Sequence, residues 1–520
     1  MAPATHHERL VQEAGHLAKR AADAIRQLDK KHSAESVHQA SLQQRRLLQQ
    51  KPRLGHKALF GDRDNPAPKL GAVKDPSTGR VTAHPASVKR VVEQLYTGLQ
   101  LPPGGIKTGE YLPDRAPRNY PWRPGAPGVV DPYDLTTRAT QLPARPFLYR
   151  YVKDEAIFFE CCKTLSSGKA PGPDGVTNEV IKMLPVQVKK LLHQLMMLMW
   201  VTGITPTAWK HSHTCLVHKA GDAADPRNYR PIGLANTLYK LWTRLVTYLM
   251  YEYAEEHSIF SSSQAGFRKG MTTHRQIQTL VMAYEDARLS SQDLYNMQVD
   301  FSSAFNSTNH DLTLQLLYDL GFPTDSIEVV KHLYTDATTA YKTAYGLTEV
   351  VQVDRGTLQG DTLSPFLFIV YIEPLVRWFQ VGGRGYKFGT MDKSRRLHTA
   401  CSNMPYADDL SVTTGTLPDV KVQARKLTAY SDWGAMDVNT VKTTVTAILY
   451  RSAAASLVGR TLKDKLEQLP KAQLENKIIV QGRPVKYIPP SEPSKYLGIM
   501  VTPTLDWKPQ FQYILQKVKD

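Results

Sequence analysis

Pro405-Tyr406-Ala407-Asp408-Asp409-Leu410 sets two adjacent carboxylates between apolar residues, and Ser411-Val412-Thr413-Thr414 continues the stretch as a strand. Successive side chains on a strand point to opposite faces, so Asp408 and Asp409 serve one site only if the backbone turns there. The stretch therefore predicts a tight hairpin tip. Carboxylate oxygens suit hard divalent ions such as magnesium, and a pair of such ions clamps the attacking and leaving oxygens of a phosphoryl transfer. A solvated Asp-Asp turn has the same sequence, and Tyr-x-Asp-Asp arises by chance in roughly one chain in twenty of this length at average residue usage. A third carboxylate is what separates the two readings.

It stands in Tyr295-Asn296-Met297-Gln298-Val299-Asp300-Phe301, where Tyr295, Met297 and Val299 fall on one face and Gln298 and Asp300 on the other. Asp300 thus ends a half-buried strand, and a strand paired beside the Asp408 hairpin would lie about 5 Å away. The order is strand, Asp300, Phe-Ser-Ser-Ala-Phe305, helix, and far downstream Tyr-Ala-Asp-Asp. It resembles the palm of a reverse transcriptase, nearest to the LINE-type retrotransposons that lack long terminal repeats.

Bulk properties agree. The 520 residues, 42% of them apolar, suit a globular protein of two to four domains, and 65 Lys and Arg against 48 Asp and Glu give a net charge of +17. Such a balance favours a polyanionic partner. The four cysteines, at 161, 162, 215 and 401, form no CxxC pair, which implies a reducing compartment and no zinc ribbon. No apolar run reaches the ~20 residues of a membrane span, and the polar start is no secretory signal, so an intracellular protein without a membrane partner is expected. The resemblance implies the nucleus.

Before residue 146 no chemistry is legible. Leu10, Ala14, Leu17, Ala21, Ala24 and Leu28 make one helical stripe. It is either the seam of a short coiled coil or, given its thin alanine-rich contact, a helix packed on the rest of the chain. A basic helical piece follows near Leu42, and Pro and Gly break any period over 52–86 and 101–147, on either side of a helix near Ser87 to Tyr96.

Further blocks follow in the family's order. Lys169-Ala-Pro-Gly-Pro-Asp-Gly175 is a rigid turn, with Thr177 or Asn178 placed to cap the next helix. A strand through Thr214 ends in a Gly-Asp turn, and Asp225-Pro-Arg-Asn-Tyr-Arg230 returns as a second β segment. By the resemblance, Lys219 and Arg230 on this finger meet a nucleotide triphosphate. His211, His213 and Cys215 alternate onto one face with His218 on the other, which argues against a zinc site. After a helix with Leu241, Leu245 and Leu249 inward comes Gln264-Ala-Gly-Phe-Arg268, where the family lays basic residues along the template.

Phe305 matches the position of an aromatic ring beneath the sugar of the incoming nucleotide, which would reject a ribose 2′-hydroxyl; Asn306 replaces the family's usual Asp. Gln359-Gly360-Asp-Thr-Leu-Ser-Pro365 opens a long apolar helix through Phe366, Phe368, Val370 and Leu375. Its glycine would let the backbone approach a nucleotide and its Gln bond a base or sugar edge. By the resemblance, Lys442, after Asn439, would stand near the leaving pyrophosphate and donate a proton, the alternative being a surface lysine, and Lys495-Tyr496-Leu497-Gly498 resembles the hairpin that contacts the primer end.

The resemblance covers about 165–502 through seven ordered blocks. It implies an α+β right-hand polymerase, with an antiparallel palm sheet backed by helices. The expected divisions are a mostly helical, partly irregular extension (1–145), fingers (146–290), palm (291–502) and the start of a thumb (503–520). Asp300, Asp408 and Asp409, with the Phe301 backbone carbonyl, would hold two Mg2+ ions, or Mn2+ in their place; an RNA template, a DNA primer or target and deoxynucleotides would be the partners. The alternative is a truncated or domesticated copy that binds nucleic acid without synthesis.

Overall fold

The computed structural model describes residues 70–75, 78–100, 148–219, 221–358, 360–388, 400–456 and 461–519. The Leu10 to Leu28 stripe, the basic piece near Leu42, the stretch 101–147 and Gln359 lie outside the described residues. The described residues form two compact units: 70–100, 148–253 and 322–364 make the first, and 254–321 with 365–519 the second.

In the first unit, the sequence of the helix Pro85–Gln100 brings Val88, Val91, Val92 and Tyr96 onto one buried stripe. Tyr96 stacks on Tyr341 with ring centroids 4.8 Å apart, and its hydroxyl donates to the Pro226 carbonyl at 3.1 Å. Residues 70–100 are therefore part of this unit's core rather than of a separate extension ending at 145. Strands β1 (His211–His218) and β2 (Tyr229–Ala235) form the expected antiparallel finger, and the strand Thr338–Thr343 joins β1 in parallel. Leu241, Leu245 and Leu249 of the helix Thr237–Glu256 are buried as their spacing requires, and Trp242 meets Trp200 edge to face. The Pro-Gly block braces the start of this helix: the Asp174 amide donates to Asn236 Oδ1 at 3.2 Å, and the Thr237 hydroxyl to the Val176 carbonyl at 2.6 Å. The helix Asn178–Met183 begins after Thr177, but neither expected cap bonds its backbone; the Asn178 amide donates back to the Ser166 carbonyl instead.

The second unit is built on β3 (Asp293–Val299), a strand as expected but buried on both faces rather than one, since Leu294 and Asn296 are as buried as Tyr295, Met297 and Val299 in this central strand. After Asp300 the chain continues as β4 (Phe301–Ser302). Strands β5 (Asn403–Tyr406) and β6 (Asp409–Thr414) form a hairpin, β7 (Asp437–Val438) pairs with β4, and β8 (Thr444–Leu449) and β9 (Lys486–Tyr487) follow. The main sheet has the order β5-β6-β3-β8-β9, antiparallel except between β8 and β9. The helix Thr273–Leu289 packs Leu280, Ala283, Tyr284 and Ala287 into the same core as Leu294 and Ile448, so residues 254–290, expected with the fingers, belong here. The short hairpin β10 (Ser494–Tyr496) and β11 (Ile499–Val501) and the helix Lys508–Lys519 complete it.

The helix Leu363–Gln380 has no polar face: every residue from Phe366 to Ile372 is buried, as a helix apolar all round must be. Within it Glu373 and Arg377, both buried, pair one turn apart at 2.6 Å. Glu373 also accepts the Ser261 amide at 2.6 Å, and Arg377 donates to the Ile259 carbonyl. Burial raises the Glu373 carboxyl, against the pull of Arg377. Breaking a buried pair from one side strands the other charge, so Arg377→Leu should cost about 3–5 kcal/mol in urea unfolding, and Glu373→Leu/Arg377→Leu together distinctly less. Additive losses would mean that the two charges do not act as a pair.

Candidate active site

The hairpin of β5 and β6 closes with Tyr406 opposite Asp409, leaving Ala407 and Asp408 as the two turn residues. Ala407 takes φ 57° in that turn and is buried. The reversal is the tight tip expected, and it ends at Asp408, so that Asp409 opens the strand. Strand β6 pairs with β3 from Leu410↔Val299 onward, so Asp409 and Asp300 are the next residues along the two strands beyond that pair. Burial, then the charges of Asp408 and Asp300, push the Asp409 carboxyl up to about 6, while Lys495 pulls it down.

Asp300 is held by its backbone. Its amide donates to Thr443 Oγ1 at 3.0 Å, and its carbonyl accepts the Asn439 amide at 2.9 Å. The turn between those residues carries Lys442, which is exposed, its own amide donating to the Asn439 carbonyl at 3.1 Å. Phe301 lies in β4 opposite Val438, whose amide donates to Gln481 Oε1 at 2.8 Å. Phe305 is half-buried, its ring 4.9 Å from the fully buried Phe368.

Other site residues do something different from what was expected. Arg268 does not lie open to a template: its side chain is only 8% exposed, forked onto Glu255 at 2.8 Å, with Nη1 donating to the Ser261 and Gln264 carbonyls. That guanidinium holds its own loop. Tyr496 offers no surface to a primer either, since it is buried and its hydroxyl donates to the Met404 carbonyl at 2.6 Å, under the β5–β6 hairpin. Leu497 and Gly498 form the β10–β11 turn, both with positive φ, and Leu497 packs onto the core beside Tyr496 while Gly498 is exposed. In the first unit, Lys219 and Arg230 are both exposed at the loop end of the finger, with the Lys219 amide donating to the Asn228 carbonyl at 2.8 Å. Gly360 has an internal reason to be glycine: its φ is +110°, and a Cβ there would come within 3.0 Å of the Gly233 carbonyl oxygen.

Two further groups belong here. Gln264 is fully buried, and its Oε1 accepts the Gly266 amide at 2.8 Å and the Ala407 amide at 3.3 Å, tying its loop to the Ala407–Asp408 turn. A Cβ on Gly266 would stand 2.2 Å from the Ala407 nitrogen, so the two backbones touch. Lys495 acts on Asp409 and lies 5.4 Å from the Tyr513 ring centroid. Strand alternation, Tyr496 in and Lys495 out, was the available signal for Lys495; for Gln264 there was only its place in the quoted block.

Residues 217–501, just over half of the chain, match the family described as reverse transcriptase (RNA-dependent DNA polymerase). The chain belongs to the reverse transcriptase family. Its relatives place it among the LINE-type members. A probable RNA-directed DNA polymerase from transposon BS of Drosophila melanogaster is 30% identical over 42% of this chain and 24% of its own length. The Pol polyprotein of the type-1 retrotransposable element R2 of Popillia japonica is 29% identical over 44% and 31%, and the RNA-directed DNA polymerase from the mobile element jockey of D. melanogaster 27% over 39% and 22%. The chain thus spans between about a fifth and a third of the curated relatives it matches. A Candida tropicalis telomerase structure overlays 58% of this chain and 55% of its own at 12% identity and a TM-score of 0.36, too low to argue from. Membership of the family implies, in general terms, a nucleic-acid template, nucleotide substrates and a divalent metal.

The residues present fit such a metal. Among the described residues no three His, Cys, Asp or Glu side chains already stand at ligand spacing. Asp300, Asp408 and Asp409 nonetheless offer oxygen donors at neighbouring strand ends, the donor type a divalent cation takes, and the charges of Asp408 and Asp300 add to burial in raising the Asp409 carboxyl.

Two outcomes follow from this geometry. Gly266→Ala should cost about 1–3 kcal/mol of stability, as overpacking does, and should weaken Mn2+ binding read by electron paramagnetic resonance, because the catalytic turn must move. Unchanged binding would show the contact to be slack. Asp409 has a folded pKa of about 6, above the ordinary value of 3.8. The folded protein therefore keeps a proton that the unfolded chain has released between about pH 4 and 6, and stability falls as pH rises through that window. In metal-free melts, Asp409→Asn should gain on the wild type from pH 4 to 6 and hold that gain above; a difference flat with pH would refute the coupling.

Proposed function

We propose that this chain copies RNA into DNA: the 3′-hydroxyl of a DNA primer attacks the α-phosphate of a deoxynucleotide, and pyrophosphate leaves. The observation that carries this reading is the strand pairing that sets Asp409 beside Asp300, with Asp408 in the adjoining hairpin turn. Asp300, Asp408 and Asp409, with the Phe301 carbonyl, are the residues that would hold two magnesium ions, or manganese in their place, which when bound favour ionisation of the hydroxyl and offset charge on the leaving group.

The chain's own side chains supply the rest. Lys442, on a turn anchored to the Asp300 backbone, donates a proton to pyrophosphate. Phe305, backed by Phe368, presents a ring edge that excludes a ribose 2′-hydroxyl. Lys219 and Arg230 take up phosphate charge, Arg as a fork and Lys as a point charge. Gln359 would bond a base or sugar edge of the nucleotide, with Gly360 beside it packed on the Gly233 carbonyl, and the Lys495 to Gly498 hairpin meets the primer end, with Tyr496 as its buried anchor. Arg268 acts on the template only through the loop it holds.

Extension of a DNA primer on an RNA template tests this, with binding measured in parallel. Asp408→Asn should lower extension on the order of 10³-fold or more and leave affinity within about twofold, since it removes a metal ligand and no phosphate contact. Affinity itself should fall steeply with salt, given the net charge of +17. A wild type that binds but extends nothing in magnesium or manganese would favour the binding-only alternative.

A further inference from the structure

We propose that Phe267 is a base-stacking residue of this site, its exposed ring a platform for the π-face of a nucleobase. The inference rests on the polymerase reading and adds to it a residue which that reading does not use. Phe267 has φ 57°, the left-handed region where a bulky side chain crowds its own backbone and which glycine or asparagine normally fills. Its neighbours impose this conformation. The Ala265 amide donates to the Pro405 carbonyl at 3.1 Å, Gly266 is bonded to Gln264 and lies against Ala407, and Arg268 is clamped to Glu255, Ser261 and Gln264.

With both flanks fixed, the ring is turned outward and is 45% exposed. It meets Phe305 edge to face at 6.4 Å between centroids and Tyr406 at 6.4 Å, tilted by 41°. Phe267, Phe305 and Tyr406 thus form an aromatic tier beside the turn that carries Asp408. A phenylalanine serving only the core would be buried and relaxed. Here strain and an exposed ring coincide next to the carboxylates, the pattern expected where a conformation is kept for function. Stacking accepts any base, which suits a copying site. The base belongs either to the template strand or to the incoming nucleotide, and the experiment distinguishes them.

Glycine adopts φ 57° without strain, so Phe267→Gly should melt at or above the wild-type temperature while losing function, a combination that a packing role would not produce. If the base is the template's, affinity for an RNA template–DNA primer duplex with a single-stranded template overhang should fall roughly 10- to 100-fold. If it is the nucleotide's, duplex affinity should hold and KM for the deoxynucleotide rise by that factor. Phe267→Trp should restore either quantity. Duplex affinity is measured independently of extension: a loss in Phe267→Gly beside a Phe267 parent chain that binds but extends nothing would uphold the stacking role while the polymerase reading fails. Affinity and KM both unchanged in Phe267→Gly, or a fall in melting temperature that accompanies the loss, would overturn the proposal.

Discussion

Three carboxylates at one end of a sheet repel one another, and in this chain backbone pairing holds them together. Unit charges a few ångströms apart cost about 1 kcal/mol in water and several times that where water is partly excluded, and burial first, then this repulsion, pushes the Asp409 carboxyl up to about 6. Against that repulsion stand the β6–β3 ladder, the two bonds that fix the Asp300 backbone, and the buried Tyr496 under the hairpin. None of these bonds is made by a carboxylate, so ionising or neutralising the three groups leaves the scaffold in place. The donor set can therefore stay poised for a cation.

What the sequence reveals and conceals follows the range of the interactions involved. The spacing of Leu241, Leu245 and Leu249 is a local pattern, and it forms the helix its period requires. The order of the motifs gives the family for a similar reason, because it is a property of the chain itself. The fate of a particular polar group is not local. Arg268 looks like a phosphate ligand until Glu255 is found within reach, and Tyr496 looks like a primer contact until its hydroxyl is found on a carbonyl 92 residues away. Gly360 likewise reads as room for a nucleotide, whereas the group it makes room for is the Gly233 carbonyl. The unit boundaries are hidden in the same way: the helix Pro85–Gln100 is visible as a stripe, but its partner Tyr341 lies far along the chain.

Several residues of the family blocks thus act one step away from any substrate, and their arrangement around the turn shows why such residues are needed. Ala407 in the catalytic turn and Phe267 in the adjoining loop both take left-handed backbone conformations without being glycine, as does Ser303 just before the Phe305 segment. Each such residue costs of order 1–3 kcal/mol and persists only where its surroundings over-determine it. The over-determination is visible: the Gln264 side chain bonds Gly266 and Ala407 together, Gln276 donates to the Ser263 and Pro405 carbonyls, and Gly266 fills the gap with bare backbone. The loop and the turn are consequently one rigid body, and a displacement of either moves Asp408 and the Phe267 ring together. A site that must hold charge, metal and a flat base in register gains from that coupling, because preorganised groups need not be gathered when the reaction begins.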